Sequence, residues 1–275
     1  MPAIALVLAL AAAVLHASWN LLIARSDDLE GATAVVLVVG LVVGAPVALA
    51  TWNVHASAIP FLVAASFLQL GYISLLVGAY GRADMSVVYP LARGVAPVIV
   101  LLVAVVALGA SVSPAQATGV ALVGAGVLLV RGLRLEAAAA RGILLSLAVA
   151  GCIAAYTLVD KHGVEHAGPL AYVELEMVLP TLVYAGVVAR RRGRPAMRAH
   201  LTAANCVAGI AMFLGYALVL FALRRASAPS VAAVRESSVV IATGLAAIVL
   251  HERVTAARFA GAVVVVGGIA LVALG

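Results

Sequence analysis

Apolar residues run along this chain in long blocks, and polar residues come in short clusters between them. Most blocks approach the ~20 residues that a helix needs to cross a bilayer. Runs such as "AVVLVVGLVVGAPVALA" do not alternate, which argues against the strands of a membrane barrel. The pattern therefore predicts ten membrane-spanning helices. They lie at about 3–23, 31–51, 58–80, 85–108, 115–131, 141–160, 168–189, 200–223, 229–250 and 256–274.

The composition agrees with a protein that lies mostly in lipid. Of its 275 residues, 65% are hydrophobic and 10% are charged, and the mean hydropathy is +1.21. A soluble domain averages about 25% charged residues, which cover its surface. The first apolar run, 3–23, lacks the basic start of a signal peptide, so we interpret it as the first membrane helix. The sequence thus predicts a multi-pass protein of the cytoplasmic membrane.

Basic residues are distributed unevenly between the two ends of the predicted helices. Twelve arginines fall in or beside the odd-numbered loops, while the other side carries Lys161, Arg224 and Arg225. The positive-inside rule then places both chain termini outside the cytoplasm. The net charge of +6 does not indicate a nucleic-acid partner, because the arginines lie in short loops between apolar spans.

The second half of the chain repeats the first at a constant offset. The segment "AYGRADMSVVYPLARGVAP" (79–97) aligns with "ALRRASAPSVAAVRESSVV" (222–240), which places Arg93 opposite Glu236. The alternative to a duplication is chance similarity between Ala/Val-rich helices. The polar and charged residues of the two segments recur in the same order, which argues against chance.

Each half, 1–135 and 136–275, holds five predicted helices. Because five is odd, the second copy must enter the membrane upside down. The predicted fold is therefore an all-α bundle of two inverted five-helix repeats around a central cavity. Glycines in the last span of each half predict close helix packing, with a homodimer interface left open. They are Gly119, Gly124, Gly126, Gly261, Gly267 and Gly268, and the repeat aligns Gly119 with Gly261 and Gly126 with Gly268.

Several motifs, taken in order, resemble the EamA-type transporters of the drug/metabolite transporter superfamily. They are "HASWN", "GRADMSVVYPLARGVAP", "RRASAPSVAAVRESS" and "LHERVT". The resemblance implies export of small metabolites across the inner membrane and assigns no substrate. Val239 departs from the family pattern, in which many members carry proline, and "LGASVS" replaces a common Glu-Arg pair. Some relatives have cytoplasmic termini, whereas the loop charges here predict the opposite.

Five charged residues fall inside predicted spans: Arg93, Glu174, Glu176, Arg235 and Glu236. Each costs roughly 2.5–3.5 kcal/mol at the centre of a membrane helix, so such residues usually face a cavity or a partner. Arg93 and Glu236 are equivalent positions of the repeat, at equal depth from opposite faces. We expect the two side chains to meet in the central cavity, where each relieves the desolvation of the other.

Two interpretations of this pair remain open at the level of sequence. In one it is a structural strut that binds nothing. In the other, Arg93 holds a substrate carboxylate or phosphate, while Glu236 binds an ammonium group or, as a coupling residue, a proton. Arg235 lies ~100° around the helix from Glu236, so one of the two faces a neighbouring helix, with Glu174 or Glu176 as a candidate partner.

Polar and aromatic residues are expected to complete the substrate site. The candidates are Trp19, Asn20, Tyr72, Tyr89, Tyr156 and Tyr216. His16 is interpreted as a structural residue.

No catalytic motif, metal-ligand spacing or phosphate-binding loop is found in the sequence, so no enzyme activity, metal or cofactor is predicted. We expect a secondary transporter of an amphoteric, amino-acid-like metabolite that works by alternating access of the two halves. The alternatives are proton-coupled efflux of lipophilic cations and a membrane scaffold or sensor that transports nothing.

Overall fold

The computed structural model describes residues 1–24, 26–80, 85–131, 140–249 and 255–275. Within them the regular elements are helices, and one antiparallel bridge joins Val54 to Ala167. A short 3₁₀ turn, Ala56–Ala58, precedes the third helix. The helices are α1 (Ala3–Ala24), α2 (Leu29–Ala50), α3 (Ile59–Tyr80), α4 (Met85–Val106), α5 (Pro114–Arg131), α6 (Ala140–Gly163), α7 (Pro169–Arg192), α8 (Arg194–Ala199), α9 (Ala203–Leu223), α10 (Ala228–Arg235), α11 (Ser237–Val249) and α12 (Ala256–Leu274).

Among the described residues, seven helices are long and apolar enough to cross a membrane by themselves. These are α1, α2, α3, α6, α7, α9 and α12, and α4 and α5 hold shorter apolar stretches. A helix of 22 residues, such as α1, is ~33 Å long and spans the ~30 Å hydrocarbon core. The chain is therefore an all-α, multi-pass membrane protein, as the hydropathy pattern predicted.

The surface of the bundle is apolar and its interior contains charge. Phe67, Leu102 and Val106 are 61%, 56% and 81% exposed, whereas Glu176 and Glu236 are almost fully enclosed. In water, so much exposed apolar surface would mark an interaction site. In a bilayer the same surface contacts lipid, and charged groups turn toward the interior.

Helices from the first and second halves of the sequence pack against each other throughout the bundle. α5 lies against α12, α1 against α9, and α3 against α6. α4 contacts α6 and α10, α1 contacts α10 and α11, and α2 and α3 both contact α7. The interior is consequently lined by side chains from both halves of the chain.

The predicted ninth span, 229–250, is not one helix. It is divided at Glu236 into α10 and α11. The Glu236 N–H donates to the Ala233 carbonyl at 3.1 Å, and the Val239 N–H donates to the Glu236 carbonyl at 3.0 Å, so the ladder tightens to a three-residue spacing. The apolar pattern alone did not reveal it.

The predicted loop 190–199 also differs from the structure, because it contains the short helix α8. Gly193 precedes α8 with φ of 82°, and Pro195 lies in its first turn. The positive φ of a glycine ends α7, and the proline fits the start of the next helix. The many arginines of this segment had indicated a loop, and the structure instead contains a helix of six residues.

Asp28 joins the start of α2 to the ends of α7 and α8. Its carboxylate caps α2 by accepting from the Gly31 N–H at 3.2 Å, and it lies 2.7 Å from Arg192 and 3.2 Å from His200. Arg192 also contacts Glu30 at 2.8 Å. Although desolvation raises the pKa of Asp28, the Gly31 N–H, Arg192 and His200 outweigh it, and the net pKa lies below its ordinary value. The folded protein therefore favours the ionised form of Asp28.

Changing Asp28 to asparagine is expected to destabilise the protein by about 1 kcal/mol or less at neutral pH. Asparagine caps a helix as well as aspartate does, so this change removes the charge and keeps the cap. A depressed pKa stabilises the fold above the ordinary pKa of the group, and this stabilisation is lost as the pH falls through the folded value. Thermal unfolding should thus separate the variant from the wild type at neutral pH, and the difference should vanish in strong acid. A difference of equal size at both pH values would contradict this account.

Candidate functional site

The structure brings Arg93 and Glu236 into contact. Arg93 Nε lies 3.2 Å from Glu236 Oε2, and the two side chains are 5% and 1% exposed. Arg93 extends from α4, and Glu236 lies at the break between α10 and α11, so the pair joins the two halves of the chain. Arg93 Nη2 also donates to the Ser238 hydroxyl at 3.4 Å. The contact expected from the repeat is present, while a role in substrate binding stays a prediction.

Arg235, the last residue of α10, contacts α6 rather than an acidic side chain. Its Nη2 donates to the Tyr156 hydroxyl at 3.4 Å, and its guanidinium carbon lies 5.9 Å from the centroid of that ring. Among the ion pairs of the described residues, none joins Arg235 to Glu174 or Glu176, the partners suggested by the sequence. A guanidinium over an aromatic face is stabilised by the quadrupole of the ring, more so where water is excluded.

A second group of buried polar residues lies between α3, α6, α7 and α9. Tyr216 donates to Asp160, and Tyr172 donates to the other Asp160 oxygen at 3.4 Å. Gln69 donates to Glu176 Oε1 at 3.1 Å and to the Tyr216 hydroxyl at 3.0 Å. We call these five residues the carboxylate cluster. It holds two acids that are 1% and 0% exposed.

The rings of Tyr216 and Tyr156 connect the carboxylate cluster to Arg235, and Tyr72 packs on Tyr156. The Tyr156 ring lies edge-on to Tyr216, with centroids 6.2 Å apart, and edge-on to Tyr72 at 6.1 Å. Tyr156 and Tyr216 were both predicted to line the site, and each contacts a charged residue of the interior. The polar interior thus continues from Arg93 and Glu236 past Arg235 and Tyr156 to Asp160.

Two further predicted site residues, Trp19 and Asn20, lie on α1. Trp19 is 5.1 Å from the His16 ring and packs on an apolar cluster of α1, α2 and α9. The Asn20 side-chain amide donates to the His16 carbonyl one turn earlier, at 2.7 Å. In the described contacts Trp19 therefore packs against apolar neighbours, and Asn20 hydrogen-bonds to the backbone of its own helix. His16 itself lies within electrostatic range of Arg93 and Arg235.

Glu174, another predicted residue, does not enter this interior. Glu174 is 8% exposed and turns toward Gly44 and Phe213, away from the carboxylate cluster. Of the acids Glu174 and Glu176, only Glu176 contacts the carboxylate cluster, as expected for residues two positions apart on a helix. The side chain of Tyr89 lies outside the described residues.

Sequence reasoning missed Asp160, Gln69 and Tyr172. Asp160 had been placed at the end of the predicted sixth span, next to Lys161, where a charge is ordinary. Instead its side chain turns inward, while Lys161 Nζ donates to the Leu223 carbonyl at 2.8 Å. An amide at mid-span, Gln69, was the signal that could have indicated a polar partner inside the bundle.

A groove of about 270 Å³ lies elsewhere, between α3 and α7. Its lining is apolar except for Ser66 and contains no charged residue. It therefore lacks the groups that would orient a polar ligand. The enclosed charges of the interior, and not this groove, form the candidate site. Together the fold and this site define an integral membrane protein with a polar centre between its spanning helices.

Residues 140–274, the second half of the chain, match the model of the EamA-like transporter family. This match to a family of membrane transporters confirms the resemblance to EamA-type transporters seen in the sequence motifs. A solved crystal structure, described only as that of a protein, superposes with a TM-score of 0.81 at 17% identity. The alignment covers 100% of this chain and 98% of the other, and at this identity it shows the fold alone. No curated protein matches this chain.

Proposed function

We propose that this protein is a secondary transporter that exports a small amphoteric metabolite, of the amino-acid type, across the cytoplasmic membrane. The observation that carries the proposal is the contact between Arg93 and Glu236, enclosed between helices of both halves. A guanidinium is suited to a substrate carboxylate, and a carboxylate to a substrate ammonium group. A purely cationic substrate would gain nothing from the buried guanidinium.

Two features of the contact suit an exchange of partners with a substrate. The hydrogen bond from Arg93 to Ser238, at 3.4 Å, is longer than the usual 2.7–3.2 Å. Among the described residues, none donates a hydrogen bond to Glu236 Oε2. A buried ion pair that only stabilises a fold needs good geometry and further hydrogen bonds to offset its desolvation. These features favour a binding role over a permanent strut.

The helix break at Glu236 supports a binding site at this point. Non-helical backbone at membrane depth is tolerated where it is buried in protein or lines a cavity. Interrupted helices are a recurrent way for transporters to present backbone groups to a substrate. The break falls at the residue that meets Arg93, so the backbone irregularity and the charge pair coincide.

The helix contacts support two inverted repeats, 1–135 and 136–275. If α1 to α5 correspond to α6, α7, α9, α10 with α11, and α12, the most extensive helix contacts have counterparts when the halves are exchanged. The contact of α1 with α9 becomes that of α6 with α3, and the contact of α4 with α6 becomes that of α10 and α11 with α1. Such symmetry suits alternating access, in which the halves rock about a central site.

Transport is tested with purified protein in lipid vesicles. A thermal-shift screen of amino acids and related compounds selects ligands, and counterflow of a labelled ligand then measures transport. We expect flux for at least one compound that carries both a carboxylate and an amine, and everted membrane vesicles to accumulate it if the direction is outward. A protein that binds no such compound and gives no flux would be a scaffold or sensor, and flux only of lipophilic cations would support efflux instead.

The orientation is a separate prediction. If the arginine-rich loops are cytoplasmic, alkaline phosphatase fused after Gly275 should be active in a bacterial host, and green fluorescent protein at the same position should be dark. Fusions after Arg192, on the opposite face, should show the reverse and serve as the control. A fluorescent fusion at Gly275 would place the termini in the cytoplasm and contradict the loop charges.

A further inference from the structure

Two buried acids, Asp160 and Glu176, share the hydroxyl of Tyr216. Its oxygen makes a short hydrogen bond to Asp160 and lies 3.3 Å from Glu176 Oε1. A hydroxyl carries a single hydrogen, which the shorter contact gives to Asp160. The remaining contact between Tyr216 and Glu176 then joins two oxygens without a hydrogen. A proton on Glu176 would supply the missing hydrogen.

The Glu176 carboxyl also has an atom with no partner. Its Oε2 is fully enclosed and receives no hydrogen bond from the described residues, and the side chain as a whole is 0% exposed. An ionised carboxylate in this state costs far more free energy than a neutral one, so buried acids of this kind bind a proton. Asp160 differs, because each of its oxygens accepts a hydrogen bond from a tyrosine.

The charges around the cluster do not neutralise both acids. From α10, Arg235 acts on Asp160 over a longer distance and donates to Tyr156. On α4, Arg93 is paired with Glu236, and on α6, Lys161 contacts Glu165 and the Leu223 carbonyl. Further ionisable groups on the helices packed around the cluster include His16 on α1, Tyr72 on α3, Tyr172 and Glu174 on α7, and Tyr216 on α9. Two carboxyl groups that contact the same hydroxyl cannot both ionise readily, because their negative charges repel each other.

We propose that Asp160 and Glu176 form a proton-binding site that holds one proton between them, carried mainly by Glu176. This inference rests on the proposed transport function and names its coupling ion, moving that role from Glu236, the candidate indicated by the sequence. The proton comes from water and returns to water; it forms and breaks an O–H bond at a Glu176 oxygen. In the described contacts the Gln69 amide N–H donates to Glu176, and the hydroxyls of Tyr172 and Tyr216 donate to Asp160, which is an arrangement that suits carboxyl groups sharing a proton.

The same contacts connect the proton site to the substrate site. Tyr216 lies against Tyr156, and Tyr156 accepts a hydrogen bond from Arg235, the neighbour of Glu236 in sequence. Loss of the proton adds a negative charge to a cluster whose Asp160 lies within electrostatic range of Arg235. Arg235 is then drawn toward Asp160 and Glu176, and the break between α10 and α11 moves with it. Proton release thereby changes the environment of the Arg93–Glu236 pair.

Infrared difference spectra of the full chain in lipid vesicles, recorded against pH, detect a protonated carboxyl group by its C=O stretch. We expect the wild type to show such a band that disappears as the pH rises. Glu176→Gln should lack it, and Asp160→Asn should displace the pH at which it disappears. Glu165→Gln removes an acid that is half exposed, at 51%, and should leave the band unchanged.

Tyr216→Phe keeps the ring and removes the shared hydroxyl, so it should alter the pH transition without unfolding the protein. A band that persists in Glu176→Gln, or a transition driven by sodium at fixed pH, would overturn the proton site. A band lost in Glu176→Gln while no compound is transported would support the proton site and contradict the proposed function. Transport that continues with the same pH dependence in Glu176→Gln would reject the coupling while leaving the substrate site in place.

Discussion

Replacing Arg93 with alanine should abolish substrate binding and destabilise the protein by about 3–5 kcal/mol. The change leaves the Glu236 carboxylate, 1% exposed, without its ion-pair partner in a low-dielectric interior. Chemical unfolding of the purified protein measures the loss of stability, and a thermal-shift titration measures binding. Arg225→Ala, at the exposed end of α9, is the matched control and should change the free energy of unfolding by less than about 0.5 kcal/mol.

A double variant separates a binding site from a structural strut. Replacing Arg93 with methionine and Glu236 with leucine removes both charges and keeps similar volume, which is often neutral or stabilising for a buried pair. We expect this variant to recover most of the stability that the single change loses, and still to bind and transport nothing. Transport at the wild-type rate in the double variant would show that the pair is a strut.

Replacing Gly268 with alanine should destabilise the protein by about 1–3 kcal/mol, because a methyl group would be forced into a filled space. A Cβ at Gly268 would lie 2.7 Å from the Gly119 carbonyl oxygen, and one at Gly119 would lie 2.6 Å from the Gly268 carbonyl oxygen. Both neighbours are backbone atoms, so α5 and α12 would have to move apart. Unfolding in a denaturing detergent titration measures the loss.

Gly267→Ala provides a control one residue away. A Cβ at Gly267 meets no atom within 4 Å, so this change should be neutral or stabilise α12 by up to about 1 kcal/mol through helix propensity. Gly261→Ala should behave like Gly268→Ala, because a Cβ there would lie 2.8 Å from the Gly126 carbonyl oxygen. Equal stabilities for the variants at 267 and 268 would contradict the close approach of α5 and α12.

The alignment of the two halves predicted that four glycines pack closely, but it did not predict which of them meet. The alignment matched Gly119 with Gly261 and Gly126 with Gly268 and predicted close packing without naming partners. In the structure Gly119 meets Gly268 and Gly126 meets Gly261, as expected when two equivalent helices cross in opposite directions. The packing that the sequence left open to a dimer interface occurs, for these four residues, within one chain.

Hydropathy predicted the helices because a bilayer imposes a strong and simple condition: each spanning segment must be apolar and must satisfy its own backbone. The contact of Arg93 with Glu236 was also predicted, because the alignment of the two halves placed them at equal depth from opposite faces, where two residues can meet near the centre. These features depend on local composition and on order along the chain.

The partners of the remaining polar residues depended on how the helices rotate and cross. Asp160 and Lys161 are neighbours in sequence, yet one side chain enters the carboxylate cluster and the other caps the end of α9. Successive residues on a helix diverge by ~100°, and only tertiary packing decides which of them turns inward. The sequence by itself determined that this is a membrane bundle with charge inside it. The tertiary structure decided which charges meet, because that choice is set by contacts between distant segments.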